Sequence, residues 1–272
     1  MNVFKCDGVE IRYRVHGQGE NVFLCWHGFG GGPADFQDVA PMLGRHAKVI
    51  IPNLKYFIGS QWPKTFSRQI EILALFTQQI WDVHRPKKLH MLGQSYGGTL
   101  SLALRAFTHL NVSRHWLLNP MPFDPLASVQ NKKIQDLLFA LKAGRDMVEY
   151  MRSAEGHENL VEAARVFRIG ATGQHEIHHF NERKLLLVEK AMERFLWIEQ
   201  RENWAQWFER LASLTDQSID RVYYSSHDSL FDTENYEKFI AKIRPKDQIK
   251  IDHNGHLLLQ DKWAEVFAEF AG

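Results

Sequence analysis

The stretch Gly93-Gln94-Ser95-Tyr96-Gly97-Gly98 decides how this chain is interpreted. Its first five residues match G-x-S-x-G, the pattern of a tight turn between a strand and a helix that exposes a serine as a nucleophile. The glycines are needed because the turn strains the serine backbone, and because a β-carbon at either glycine would collide with the neighbouring helix or strand. The pattern therefore predicts a nucleophilic Ser95, provided that its flanks form a strand and a helix.

The residues on both sides of this turn have the required character. Upstream, residues 88–92 form an apolar run with polar residues at its start, which is typical of a short buried strand. Downstream, residues 99–108 are small and apolar on nearly every face, as expected of a helix buried against a sheet. A glycine-rich turn in any α/β protein would have similar flanks, so partners for the serine must be sought elsewhere in the chain.

The composition of the 272-residue chain is that of an ordinary globular protein, with 44% hydrophobic and 24% charged residues. A formal net charge of +1 gives no electrostatic reason to expect nucleic acid or an acidic membrane as a partner. No apolar run approaches about 18 residues, and the N-terminus lacks the pattern of a signal peptide. The two cysteines, Cys6 and Cys25, are expected to be small core residues in a reducing compartment. We therefore expect a cytoplasmic protein without an integral membrane segment, and leave its oligomeric state open.

Hydrophobic patterning predicts an alternating β/α core that is interrupted once by helices. We expect an α/β fold with a mostly parallel central sheet of about eight strands and helices on both faces. Residues 1–120 and 215–272 form this core, and residues 121–214 form an inserted, entirely helical segment. In such a sheet a ligand binds beyond the carboxyl ends of the strands. The predicted strands are residues 3–5, 11–15, 21–26, 48–51, 88–92, 115–118, 219–225 and 248–251. The predicted core helices are residues 34–43, 67–83, 99–108, 234–243 and 257–270.

A serine nucleophile needs a general base, and the loop after the last predicted strand offers two histidines. This loop reads Asp252-His253-Asn254-Gly255-His256. We prefer His256, because Asn254 and Gly255 supply a turn that aims its side chain back over the sheet. His253 is the alternative.

The base in turn needs an orienting carboxylate, which should lie in the preceding loop between a strand and a helix. Asp228 follows the strand at residues 219–225 and is the preferred candidate. Asp232 is more simply interpreted as the cap of the helix that starts at Glu234. Asp124, after the strand that follows the nucleophile helix, is a further option.

Two backbone amides are needed to hold an oxyanion. One is the amide of Tyr96, directly after the nucleophile. The other is expected from Phe29 in the glycine-rich stretch His27-Gly28-Phe29-Gly30-Gly31, because glycines let the backbone turn its N–H groups inward. Such a loop before a helix could instead hold a phosphate, but no G-x-x-x-x-G-K-[ST] pattern follows.

On these residues the chain resembles the α/β-hydrolase superfamily over essentially its whole length. His27-Gly28, the stretch from Gly93 to Gly98, Asp228 and Gly255-His256 occur in the order expected of that family. Residues 121–214 resemble the helical cap that many members place over the active site. In detail the chain is most similar to cofactor-free esterases and to C–C or lactone hydrolases with a capped pocket.

The resemblance implies an acyl transfer reaction. Haloalkane dehalogenases and epoxide hydrolases of this family carry an aspartate at the position of Ser95, so the serine argues against both. We expect a serine hydrolase that cleaves a small or medium, largely apolar ester or thioester through an acyl-enzyme, without a cofactor. The alternatives are a C–C bond hydrolase or lyase with the same three residues, and a non-catalytic binding protein with this fold.

The stretch His175-Glu176-Ile177-His178-His179 matches H-E-x-x-H, a pattern of zinc sites. Two histidines one helical turn apart could bind Zn²⁺, with the glutamate as a base. The stretch lies in the predicted cap and has no obvious third ligand. We therefore favour a polar helix face and predict no metal.

Overall fold

The structure is a computed structural model that describes residues 2–28, 31–54, 66–108, 110–122, 129–143, 147–167, 219–256 and 266–267. The described strands are β1 (Asn2–Cys6), β2 (Val9–His16), β3 (Val22–Trp26), β4 (Lys48–Pro52), β5 (Leu89–Gln94), β6 (Val112–Leu118), β7 (Arg221–His227) and β8 (Asp247–Asn254). They form one eight-stranded sheet in the order β1-β2-β4-β3-β5-β6-β7-β8. Strand β2 pairs antiparallel with β1 and β4, and every pairing from β4 to β8 is parallel. The predicted α/β fold with a mostly parallel sheet is therefore confirmed.

The described helices are α1 (Val39–Leu43), α2 (Phe66–His84), α3 (Tyr96–Phe107), α4 (Lys132–Lys142), α5 (Met147–Arg152), α6 (Ala154–Phe167) and α7 (Thr233–Ile243). The helix predicted at residues 34–43 is instead a 3-10 turn, Pro33–Phe36, followed by α1. Pro41 explains the break, because it lacks the N–H that a continuous helix would need and is tolerated only in a first turn. The helix predicted at residues 257–270 lies outside the described residues, apart from Val266 and Phe267.

The core lies on both faces of the sheet, as the alternation of side chains in β3 shows. Val22, Leu24 and Trp26 contribute to one buried apolar cluster, while Phe23 and Cys25 contribute to another. Helices α2 and α3 cover the first cluster, and α1 covers the second. Cys25 is fully buried, which confirms its prediction as a core residue, and burial raises the pKa of its thiol. A strand covered on both faces reads as a continuous apolar run, which is why β3 could be recognised in the sequence.

The segment predicted as a helical insertion is described in part. Helices α4, α5 and α6 lie within residues 132–167, and an isolated antiparallel bridge joins Val129 to Phe231. Residues 168–218 lie outside the described residues, so the boundaries 121–214 stay a prediction. Within the described ranges, no helix is both long enough and apolar enough to cross a membrane.

Candidate active site

Ser95 lies between the last residue of β5 and the first residue of α3, in a strained backbone conformation with φ 52° and ψ −123°. Two backbone hydrogen bonds hold Ser95 in this conformation, one through its N–H and one through its carbonyl. Its N–H donates to the carbonyl of Leu118 at 2.9 Å, and its carbonyl accepts from the N–H of Met121 at 3.1 Å. Such strain persists only where surrounding contacts hold it, so these bonds to the end of β6 maintain the turn.

The two glycines of the G-x-S-x-G pattern are required by close backbone approaches, as the sequence predicted. A β-carbon on Gly93 would lie 2.6 Å from the Cα of Gly98 and 2.6 Å from Oγ of Ser101, both in helix α3. A β-carbon on Gly97 would lie 2.1 Å from the carbonyl oxygen of Trp26 in β3. The helix and the neighbouring strand can therefore pack around the turn only if these positions carry no side chain.

The structure brings Ser95, His256 and Asp228 together at the carboxyl ends of the strands. Nε2 of His256 lies 2.7 Å from Oγ of Ser95, and Nδ1 of His256 lies 2.8 Å from Oδ2 of Asp228. The three residues are 6%, 4% and 2% exposed, respectively. Because an ionised carboxylate only accepts hydrogen bonds, Nδ1 carries the imidazole proton, and Nε2 is left to accept from the serine hydroxyl.

The carboxylate of Asp228 is held by its own loop. Its Oδ1 accepts hydrogen bonds from the backbone N–H groups of Leu230 at 2.7 Å and Phe231 at 2.9 Å. Oδ2 is thereby aimed at His256, and the ring of Phe231 packs edge-on against the imidazole with centroids 5.1 Å apart. Tyr236 is also fully buried, and burial together with the neighbouring Asp228 carboxylate raises the pKa of its hydroxyl well above the usual range.

The alternative residues named from the sequence fall elsewhere. Asp232 caps α7, since its Oδ1 accepts from the N–H of Glu234 at 2.8 Å, as predicted. His253 donates its backbone N–H to Oγ of Ser226, and its ring lies against Gly255. Asp124 lies outside the described residues.

Of the two backbone donors predicted for an oxyanion, one can be located. Tyr96 is the first residue of α3, so its amide belongs to the first helical turn, where N–H groups are not used by intrahelical bonds. Phe29 lies outside the described residues. Its neighbour Gly28 is placed, and a β-carbon there would lie 3.2 Å from Cβ and 3.7 Å from Oγ of Ser95. The loop that follows β3 therefore approaches the serine directly.

His27 has a structural role that the sequence did not reveal. The N–H of Leu54 donates to Nε2 of His27 at 2.8 Å, so the ring proton is on Nδ1, which lies 2.8 Å from the carbonyl of Gly28. The buried imidazole thus connects the loop after β3 to the residues after β4. The position of His27 at the end of a buried strand was the available sequence signal for this role. Its partner Leu54 lies 27 residues away, so the pairing itself could not be recognised.

No group of three or more His, Cys, Asp or Glu side chains is arranged to hold a metal ion in the part of the chain that the structure describes. The H-E-x-x-H stretch at residues 175–179 lies outside that part. The expectation that neither a metal nor a cofactor is needed therefore stays a prediction.

Residues 21–141 match the sequence profile of the family described as alpha/beta hydrolase fold. A similar curated protein is the 2-hydroxy-6-oxo-2,4-heptadienoate hydrolase of Pseudomonas putida, 33% identical over 99 residues, which are 35% of this chain and 36% of that protein. Another is the uncharacterized hydrolase YugF of Bacillus subtilis, 30% identical over 101 residues, which are 37% of each chain. The matches therefore span little more than a third of the length of these curated relatives.

Similar solved structures cover nearly all of the chain. An alpha/beta hydrolase fold protein from Burkholderia ambifaria has a TM-score of 0.67 at 19% identity and covers 98% of this chain and 96% of its own. The haloalkane dehalogenase DbeA from Bradyrhizobium elkani has a TM-score of 0.69 at 16% identity, with coverage of 100% and 96%. The N-acyl homoserine lactonase AidH has a TM-score of 0.65 at 15% identity, with coverage of 99% and 94%.

The match of residues 21–141 and the similar solved structures together show that the chain has the α/β-hydrolase fold. Both of the curated relatives named above are called hydrolases. Because the solved structures are less than 25% identical to this chain, they establish its fold and not its reaction.

Proposed function

We propose that this chain is a serine hydrolase that cleaves a small or medium, largely apolar ester or thioester through an acyl-enzyme. One observation carries the proposal: an unbroken, buried hydrogen-bond relay runs from Ser95 through His256 to Asp228. The three residues come from three separate loops, and a nucleophile, a base and an orienting acid need this arrangement for acyl transfer.

In the proposed reaction, Oγ of Ser95 attacks the substrate carbonyl while Nε2 of His256 accepts the hydroxyl proton. Asp228 stabilises the imidazolium that forms and keeps the ring oriented. The backbone amides of Tyr96 and Phe29 are proposed to hold the oxyanion. His256 then protonates the leaving group, and the acyl-enzyme is hydrolysed when the same nitrogen deprotonates a water molecule.

The chemistry of the nucleophile distinguishes this proposal from dehalogenation, although DbeA has a similar fold. An aspartate that displaces a halide forms an ester, whose carbonyl can then be attacked by water. Ser95 in the same reaction would form an ether, which has no carbonyl and would not be released. A serine at this turn therefore favours substrates that already contain a carbonyl group.

A second candidate is hydrolysis of a C–C bond next to a carbonyl, with the same three residues. It is favoured by the similarity to the 2-hydroxy-6-oxo-2,4-heptadienoate hydrolase of Pseudomonas putida. The match covers only 36% of that protein, so it does not by itself assign the substrate of that enzyme to this chain.

The division into a core, residues 1–120 and 215–272, and a helical cap, residues 121–214, is part of the proposal. The three helices found within residues 132–167 support it. Gln130 supports it further, because its side-chain amide donates to the backbone carbonyl of Asp228 and its backbone N–H donates to that of Leu230 at 2.9 Å. The start of the proposed cap is thus bonded to the loop that carries the acid.

A substrate panel tests the proposal. Purified protein would be assayed with p-nitrophenyl esters of increasing acyl length, with an acyl thioester, and with a 2-hydroxy-6-oxo-dienoate. We expect turnover of an ester or thioester that is lost in Ser95→Ala and in His256→Ala. Turnover of the dienoate alone would select the C–C hydrolase, and ester turnover that persists in Ser95→Ala would contradict the proposed mechanism.

A further inference from the structure

The segment from Leu118 to Met121, which ends β6 and follows it, is hydrogen-bonded to the backbones of both residues that exchange the proton in the proposed reaction. On one side it bonds to the backbone of Ser95, which donates to Leu118 and accepts from Met121. On the other side it reaches the backbone of His256 through the side chain of Asn119. One short segment thus contacts both partners of the 2.7 Å hydrogen bond.

The side chain of Asn119 uses all of its hydrogen-bonding groups at this point. Its Nδ2 donates to the backbone carbonyl of His256 at 2.7 Å and to Oγ of Ser225 at 2.8 Å. Its Oδ1 accepts from the backbone N–H of Ser225 at 2.8 Å. The hydroxyl of Ser225 then donates to the carbonyl of Gly255 at 2.6 Å. The carbonyls of His256 and of the residue before it are therefore both held.

We propose that Asn119 and Ser225 are positioning residues, which set the distance between Nε2 of His256 and Oγ of Ser95. This inference rests on the proposed function. Neither residue contacts the reacting atoms. Both act by holding the backbone carbonyls of Gly255 and His256. Both are fully buried, so their bonds do not compete with bulk water and define the loop position closely.

The backbone of Asn119 explains why this residue type suits the position. Its φ of 38° lies in the left-handed region, which asparagine adopts more readily than most residues with a β-carbon. Glycine would tolerate the same backbone but would offer no amide for His256. Asparagine combines the permitted turn with two donors and one acceptor at the required place.

A role in stabilising the fold alone would also explain a buried network in which every group is hydrogen-bonded. The test must therefore distinguish an effect on the position of His256 from an effect on the stability of the protein. If Asn119 only stabilises the fold, its removal reduces the amount of competent protein but leaves each folded molecule with normal reactivity. If it positions His256, every folded molecule reacts slowly, because a small displacement of a catalytic group costs up to about 100-fold in rate.

The experiment measures the rate and the final extent of labelling by a fluorophosphonate probe, which reacts with an activated serine. The variants are Asn119→Gly, which tolerates the left-handed backbone, and Ser225→Ala, which deletes one buried hydroxyl. The matched control is Thr77→Val, because the buried Thr77 hydroxyl also donates to a backbone carbonyl, that of Leu73 at 2.8 Å, but lies in α2.

We expect Asn119→Gly and Ser225→Ala to be labelled roughly 10- to 100-fold more slowly than the wild type, with the same final extent per folded molecule. With a substrate, kcat should fall and KM should change little, because substrate contacts are kept. Thr77→Val should react at the wild-type rate. If Asn119→Gly does not fold, Ser225→Ala decides the question.

Three results would overturn the inference: wild-type labelling rates in both variants, a reduced extent at an unchanged rate, or an equal slowing in Thr77→Val. Absence of labelling in the wild type is a different result, which overturns the proposed function and this inference with it.

Discussion

Nε2 of His256 lies 2.7 Å from the hydroxyl oxygen of Ser95, although 161 positions separate the two residues in the chain. Ser95 follows β5 and His256 follows β8, and two strands lie between these in the sheet. The distance therefore depends on the registers of β5 with β6, β6 with β7, and β7 with β8. Asn119, after β6, and Ser225, within β7, are bonded to each other and to the histidine loop across that span.

Asp228→Asn should lower kcat about a thousand- to ten-thousand-fold while the fold is retained. The asparagine oxygen can still accept from the N–H groups of Leu230 and Phe231. Its amide then faces Nδ1 of His256 as a donor, so the imidazole proton is driven to Nε2, which can no longer accept from Ser95. Steady-state kinetics and circular dichroism of the same preparation check this prediction.

Asp232→Asn is the matched control for that variant. Asp232 lies four residues further along the same loop and caps α7 by accepting from the N–H of Glu234, a bond that an asparagine oxygen can also accept. We expect kcat close to that of the wild type. A similar loss of kcat in both variants would show that Asp228 acts through the loop conformation and does not orient His256.

Gly28→Ala should lower kcat/KM by about tenfold or more, with a change in the free energy of unfolding of no more than about 1 kcal/mol. The new β-carbon would lie 3.2 Å from Cβ of Ser95, which is tighter than ordinary contact, so the nucleophile must shift. Gly32→Ala is the control, because Gly32 has an extended backbone with φ −172° and a β-carbon there meets nothing within 4 Å. Equal activity of the two variants would argue against a close approach of this loop to Ser95.

The stability of the protein should fall between pH 7 and pH 5 because of His115. Burial, together with the charge of Arg105, lowers the pKa of His115 to about 3 from its usual 6.5. The folded state therefore binds this proton less readily than the unfolded state. The stabilisation is complete above about pH 6.5 and is lost as the pH falls toward 3, by about 2 kcal/mol between pH 7 and pH 5.

His115→Gln tests the origin of this pH dependence. Nε2 of His115 lies 2.8 Å from Oγ of Ser101, and a glutamine amide can supply a similar donor but cannot titrate. Urea unfolding at pH 7 and pH 5 should show a smaller loss of stability in the variant, by about 2 kcal/mol. His90, whose pKa burial lowers to about 4, is present in both proteins and cancels from the comparison. An identical loss in both would assign the effect to other groups.

The sequence predicts those parts of the site that follow from a short motif or from the position of a loop after a strand. The turn at Ser95 could be recognised because its two close backbone approaches require glycine at fixed spacing. His256 and Asp228 could be selected because loops after late strands of a parallel sheet meet at the same edge.

The supporting residues could not be recognised in this way. Asn119 bonds to a carbonyl 137 residues away and His27 to an amide 27 residues away, and no local pattern records such pairings. The order of strands is equally non-local, since β4 is inserted between β2 and β3. Pro41 was a local signal against a continuous helix at residues 34–43, and that prediction overlooked it.

The most direct test of Ser95 as the nucleophile is to find which residue a fluorophosphonate probe modifies. The labelled protein would be digested, and the modified peptide identified by mass spectrometry, for the wild type, Ser95→Ala and Ser226→Ala. Ser226, a half-buried serine near the carboxyl end of β7, provides the control. We expect one adduct, on Ser95, in the wild type and in Ser226→Ala, and none in Ser95→Ala. An unlabelled wild type, or an adduct that persists in Ser95→Ala, would contradict this expectation.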